Sequence, residues 1–109
     1  MKKGEEAIKQ ETCVAWFRCQ YPDFLLWSIP NEATYRNKNY FNMLGMMKGV
    51  SDLVCVLPNQ ILFIEMKSDK GRQSPDQKVF QKKIENLGFK YYICRSLEDF
   101  QSVIKTNLN

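Results

Sequence analysis

The sequence predicts an α/β fold: a mixed four-stranded sheet flanked by helices, in the order α-β-β-β-α-β-α, forming a single domain over residues 1–109. Three observations predict it. Two short apolar runs, Leu53–Leu57 and 61–67, flank Pro58-Asn59-Gln60 and read as a hairpin. Segments with helical spacing of apolar residues lie before and after that hairpin. A 44% apolar share of 109 residues is enough for one modest core and excludes a disordered chain.

The first helix is expected over Glu5–Gln20. At about 100° per residue, Ile8, Thr12, Ala15, Trp16 and Cys19 fall in one sector, the expected inward face, and Glu5 projects onto it one turn earlier. Tyr21-Pro22-Asp23 stops the helix, because the residue before a proline is disfavoured in helical conformation. A first strand follows over 24–29, ending at Pro30-Asn31. Residues 31–49 form a long polar loop in which asparagines alternate with Tyr35, Tyr40 and Phe41, with a short helical turn expected around 41–47. The hairpin strands lack clean alternation, as expected where both faces are covered.

Residues 68–73 read as a polar loop. Ser74-Pro75-Asp76-Gln77 is a sharp helix start: Ser at the N-cap, Pro at the first helical position, and Gln three residues on to close a capping box. Val79, Phe80, Ile84 and Leu87 line that helix, and Gly88 ends it. A last strand over 89–94 leads to a final helix that opens at Ser96 and runs to about Lys105, with Leu97, Phe100, Val103 and Ile104 inward.

Composition narrows the chemistry. The chain has no histidine, which removes Ser-His-Asp, Cys-His and histidine-metal catalysis together. Cys13, Cys19, Cys55 and Cys94 form no C-x-x-C pair and sit in apolar contexts, so they read as small buried hydrophobes of a reducing compartment. No apolar h-region follows Met1-Lys2-Lys3, and the longest apolar run is too short for a bilayer. A soluble, cytoplasmic protein without a membrane partner is expected. The net charge of +4 is mild, but residues 33–83 hold nine Lys and Arg against four Asp and Glu, a local +5. Such a run is either a solvated face or a surface turned toward a polyanion.

Glu65-Met66-Lys67 is the sharpest feature. Residues two apart on a strand share a face, so Glu65 and Lys67 stand together while Leu62, Ile64 and Met66 face the other way. A charged pair on an otherwise apolar strand is costly unless paired or placed at a site. Asp52 begins the preceding strand, and antiparallel pairing brings the start of one strand beside the end of the next. Two carboxylates and a lysine thus share one edge. Oxygen donors without histidine suit Mg²⁺ or Mn²⁺, ions that polarise phosphodiesters, with Lys67 placed to offset developing charge. Gln77 has two readings: a capping-box residue, or a side chain aimed at the same edge from a helix N-terminus. Glu5 at the head of the first helix reads either as a further acid that reaches a second metal or a metal-bound water, or as a solvated N-terminal glutamate, with Glu11 as the fallback.

Asp52, then Glu65-x-Lys67 thirteen residues on, resembles the PD-(D/E)XK nuclease signature. Along nearly its whole length the chain is similar to a VRR-NUC domain of the stand-alone phage or prophage type. The matching pieces are Glu5-x-x-Ile8, Ile29-Pro30-Asn31, Gly45-x-x-x-Gly49-Val50-x-Asp52-Leu53, Phe63-Ile64-Glu65-x-Lys67, Ser74-x-x-Gln77 and Leu87-Gly88. Ser51 departs from the usual proline, a backbone-shaping position with no catalytic atom. The resemblance implies a restriction-endonuclease-like core and a metal-dependent endonuclease. Asp52, Glu65 and the Met66 carbonyl would be its ligands, Lys67 the catalytic lysine, Gln77 a support and Glu5 an ancillary acid. It also implies a homodimer that cleaves branched DNA such as four-way (Holliday) junctions, within a bacterial host cell.

Asn31, Arg36, Lys48, Gly49, Lys70, Arg72 and Ser74 are the expected phosphate-facing residues, each with the alternative of simple solvent exposure. Tyr35, Tyr40 and Phe41 read either as base-stacking residues or as core and interface residues. The alternative function is a catalytically silent branched-DNA-binding module; a linear-duplex cutter ranks lower, since little chain is left for a sequence-reading element.

Overall fold

The computed structural model describes residues 4–30 and 38–109. The described elements are α1 (Glu5–Gln20), β1 (Leu25–Ser28), α2 (Lys38–Met43), β2 (Leu53–Leu57), β3 (Gln60–Met66), α3 (Pro75–Asn86), β4 (Lys90–Cys94) and α4 (Leu97–Leu108). The strands form one sheet in the order β1-β2-β3-β4. β1–β2 and β2–β3 pair antiparallel, and β3–β4 pair parallel. The sheet is therefore mixed, as the sequence predicts. Its parallel pair exists because α3 carries the chain back across the sheet before β4.

Local chemistry sets most boundaries. Leu57 pairs with Gln60, leaving Pro58-Asn59 as the hairpin turn, and Asn59 takes φ 60, which asparagine tolerates. Ser74 caps α3 in a complete capping box with Pro at the start, and Gly88 follows the helix at φ 92. α4 runs three residues past the expected Lys105. Its last turn is tied to the sheet: the Asn107 side chain accepts from Lys90 Nζ at 2.8 Å and donates to Tyr92 Oη at 3.1 Å, and its carbonyl accepts from Gln60 Nε2 at 2.6 Å. The short helix expected at 41–47 instead lies at Lys38–Met43.

The core lies between one face of the sheet and the pair α1 and α4. Leu53, Cys55, Leu57, Leu62, Ile64, Met66 and Cys94 meet Cys13 and Phe17 from α1 and Phe100 and Ile104 from α4. Phe17 and Phe100 are fully buried, with ring centroids 6.3 Å apart. Each contributes about 1.5–3 kcal/mol of apolar burial. The inward face of α1 is a correction to the sequence reading. Cys13 and Phe17 are buried, whereas Ile8, Thr12, Ala15 and Cys19 are exposed, so the helix is turned by roughly a third of a revolution from the projected sector. Trp16 still reaches the core from the flank, edge-on to Phe100 at 6.1 Å. Cys19 is accordingly not the buried hydrophobe expected, while Cys13, Cys55 and Cys94 are. Burial holds those three thiols up at about 11, 12 and 12.

Among the described residues, α3 packs on the opposite face of the sheet. Phe80 stacks edge-on against Phe63 and Tyr91, yet α3 has no fully buried residue. Cover on both faces holds at the centre of the sheet and fails at its margin, where Leu25, Trp27 and Ile61 are exposed. At the outer edge, Arg18 Nη2 donates to the Leu26 carbonyl at 3.1 Å. No helix among the described residues is long and apolar enough to cross a membrane.

Candidate active site

Antiparallel pairing of Leu53 with Ile64 carries on by one residue to set Asp52 across from Glu65. Asp52 Oδ2 accepts the Met66 backbone N–H at 2.7 Å, which locks the carboxylate to the end of β3. Glu65 itself is only 1% exposed, and Lys67 only 8%. The Lys67 ammonium lies 3.9 Å from Glu65 Oε2, and its backbone N–H donates to the Cys94 carbonyl at 3.0 Å, extending the parallel pairing by one residue. Strand alternation sends Met66 into the core while Glu65 and Lys67 turn to the α3 side, as the period of two dictates.

Gln77 serves both of its readings with one amide. Its Oε1 accepts from the Ser74 backbone N–H at 2.8 Å, closing the capping box, and its Nε2 donates to Glu65 Oε2 at 3.1 Å. Helix capping and site support are therefore the same side-chain pose. The other Glu65 oxygen, Oε1, accepts from Tyr91 Oη at 3.3 Å. Burial, then the neighbouring Asp52 carboxyl, push the Glu65 pKa well above the ordinary carboxylate range, and Lys67 and Tyr91 only partly offset them.

Gly49 closes the site from the side. It adopts φ +75, and a Cβ there would meet the Asp76 carbonyl group and come within 2.7 Å of the Gln77 nitrogen. Only glycine lets the chain before β2 lie this close to the first turn of α3. Between them runs a cleft of about 180 Å³ whose lining includes Gly49, Ser51, Asp52, Ser74 and Gln77. Ser51, at the position where proline is the expected residue, is buried and donates its hydroxyl to the Leu53 carbonyl at 3.1 Å.

The remaining predicted residues are scattered around this cluster. Lys48, Lys70, Arg72 and Ser74 are exposed on the segments that border it. Glu5 is exposed and pairs with Lys9 at 3.1 Å, and Lys9 also reaches Asp69 at 2.9 Å, tying the head of α1 to the loop after β3. That contact with Lys9 holds the Asp69 carboxyl below its ordinary value. Glu11 lies on the exposed side of α1, in a groove with Val14, Arg18 and Trp27. Asn31, Tyr35, Arg36 and the Phe41 side chain lie outside the described residues. Tyr40 is exposed on α2.

Three further residues shape the site. Tyr91 and Gln73 reach Glu65 in sequence, Gln73 Nε2 donating to Tyr91 Oη at 3.4 Å. Arg95 donates from Nη1 to the Ser68 and Gly71 carbonyls, both at 2.7 Å, clamping the loop that leaves Lys67. Their signal in the sequence is slight: a hydroxyl in an apolar strand, a glutamine in a polar loop, and an arginine just past the last strand.

Among the described residues no three His, Cys, Asp or Glu side chains gather as a metal cluster. The donor set is instead a pair of apposed carboxylates, Glu65 deeply buried and Asp52 lining the polar cleft. Hard oxygen donors of this number fit Mg²⁺ or Mn²⁺, which are held by one or two carboxylates and complete their shells with water. Burial and the neighbouring Asp52 disfavour the charged form of Glu65, and a bound cation would supply the positive charge that favours it.

The VRR-NUC domain model matches residues 5–98. A solved structure described as a VRR_NUC domain protein superposes with a TM-score of 0.74 at 20% identity, covering 97% of this chain and 89% of its own. A second, described as a VRR_NUC domain, gives 0.69 at 18% identity, covering 94% and 97%. At such identities the likeness speaks for the fold alone. A comparison with curated proteins gives no match. The family match and the fold agree over almost the whole length, and the chain belongs to the VRR-NUC domain family, a nuclease-fold domain of DNA processing.

Proposed function

We propose that this protein is a Mg²⁺- or Mn²⁺-dependent, structure-selective DNA endonuclease that hydrolyses phosphodiester bonds at four-way junctions or other branched DNA. The observation that carries the reading is the apposition of Asp52 and Glu65 beside Lys67, with Glu65 buried against a second acid. Such an arrangement is unfavourable for folding alone and favourable for holding a cation.

In this reading Asp52, Glu65 and the Met66 carbonyl hold the ion. When bound, it supplies positive charge to a scissile phosphodiester and favours ionisation of water. Lys67 balances the charge on Glu65 and faces the same edge, where it would stabilise the negative charge that grows on the phosphate. Gln77 fixes Glu65, and Gly49 lets the backbone close on the cleft. Lys48, Lys70 and Arg72 flank the cluster as phosphate contacts, joined by the α3 N-terminus at Ser74. Asn31 and Arg36 are assigned to the same surface from the sequence. Glu5, held by Lys9 near the loop after β3, is the ancillary acid. Two incisions across a four-way junction need two active centres, which a homodimer supplies. The proposed setting is the cytoplasm of a bacterial host.

The test compares wild type with Lys67→Ala on four-way junction, flap and linear duplex, in Mg²⁺ and in Mn²⁺. The expected outcome is cleavage of branched substrates by wild type, with loss of at least about 100-fold in the variant while DNA binding persists. Undiminished cleavage by the variant overturns the role of Lys67, and no cleavage by wild type in either metal overturns the enzyme reading in favour of a silent DNA-binding module. Preference for linear duplex removes only the branched-substrate part.

A further inference from the structure

Glu65 is gripped from two sides, and one of those grips comes from a residue with no part in the chemistry just described. Parallel pairing aligns Phe63 with Tyr91 and Glu65 with Ile93, so Tyr91 shares the α3-facing side of the sheet with Glu65. Its ring is 6% exposed and lies edge-on to Phe80, with Phe63, Phe80 and Phe89 forming an aromatic cluster around it. A phenylalanine would satisfy that packing. The hydroxyl is an added polar group in a buried place, costly unless it is hydrogen-bonded.

It is bonded twice. Tyr91 Oη donates to Glu65 Oε1 at 3.3 Å and accepts from Gln73 Nε2 at 3.4 Å. Gln73 is itself anchored, its Nε2 donating to Gln81 Oε1 on α3 at 2.8 Å. Because the phenol oxygen accepts the Gln73 N–H, its own proton is left to point at Glu65. With Gln77 on Oε2, each oxygen of Glu65 has its own donor. The terminal torsion of a glutamate is broad, and two donors from different elements confine it.

We infer that Tyr91 is a positioning residue: its hydroxyl, oriented by Gln73, fixes the plane of the Glu65 carboxylate and so sets the affinity of the site for a divalent cation. The role rests on the metal-centre reading above and deepens it. Hydrogen bonds behind a ligating carboxylate typically change metal affinity or activity about 10- to 100-fold when removed.

The experiment titrates Mn²⁺ by calorimetry, without DNA, into wild type, Tyr91→Phe and Gln73→Met, alongside thermal melts. Tyr91→Phe is expected to melt close to wild type, bind Mn²⁺ about 10-fold more weakly, and recover part of its cleavage rate at high Mn²⁺. Gln73→Met, which keeps the hydroxyl and loses its orienter, is expected to fall between the two. Should Tyr91→Phe fold poorly, wild-type Mn²⁺ affinity in Gln73→Met overturns the role by itself. Equal Mn²⁺ affinity in folded Tyr91→Phe and wild type overturns the Tyr91 role and leaves the metal centre standing. A wild type that takes up no Mn²⁺ overturns the metal centre, and the Tyr91 role with it.

Discussion

At Glu65 the fold holds a carboxyl where its neutral form is the favoured one. Burial and Asp52 raise its pKa above the value of 4.5 that the unfolded chain would show. The folded state therefore keeps a proton that the unfolded state releases. Stability from this group is fully present below the unfolded pKa and is lost as pH rises through the higher folded one. Without divalent ions, the melting temperature is expected to fall from pH 5 toward pH 8 more steeply in wild type than in Glu65→Gln. Added Mg²⁺ is expected to restore the wild type at pH 8 and leave the variant unmoved, because a ligand that binds only the native state stabilises it. Parallel slopes for the two proteins would count against this account. The same residue marks what one chain of letters can convey. Glu65, Lys67 and Asp52 are legible because strand alternation and hairpin pairing are local rules. Tyr91 is not, since its meaning depends on a parallel pairing made across an intervening helix.

Among the elements, α3 is the most legible. Ser74, Pro75, Gln77 and Gly88 announce both of its ends, and each signal acts within a few residues. The inward face of α1 was harder to read for a physical reason. Its apolar residues are spread around the helix, so the burying side is chosen by Phe100, Tyr21 and the sheet, none of which periodicity contains. The junction of the 45–49 segment with α3 is where two elements depend on one atom's absence. In Gly49→Ala the left-handed backbone alone costs about 1–2 kcal/mol, and contact with the Asp76 backbone adds to it. A drop of roughly 5 °C or more in melting temperature is expected, with cleavage falling further than stability because Gln77 sits in the displaced turn. Melting and cleavage both unchanged would show that the segment can shift freely.

Over the whole molecule, element order and charge placement are both visible in the sequence. Of the basic residues in 33–83, Lys48, Lys67, Lys70 and Arg72 lie on the segments that carry or adjoin Asp52 and Glu65, and a bound divalent ion would make that surface more basic still. Solved relatives at 18–20% identity keep the same architecture, which fits a fold set by pattern and pairing more than by particular side chains. One contact at the margin has a consequence for how copies of the molecule behave together. β1 is a four-residue outer strand with Leu25 and Trp27 exposed, the kind of edge on which another chain can add a strand. Arg18 occupies the outward carbonyl of Leu26 and brings a charge to that edge. Replacing it in Arg18→Ala is expected to leave the melting temperature within about 2 °C and to raise light scattering with concentration and time. Scattering identical to wild type would mean that the shortness of β1 is guard enough. The arginine thus acts as a colloidal safeguard, keeping the β1 rim of the sheet from growing into its neighbours.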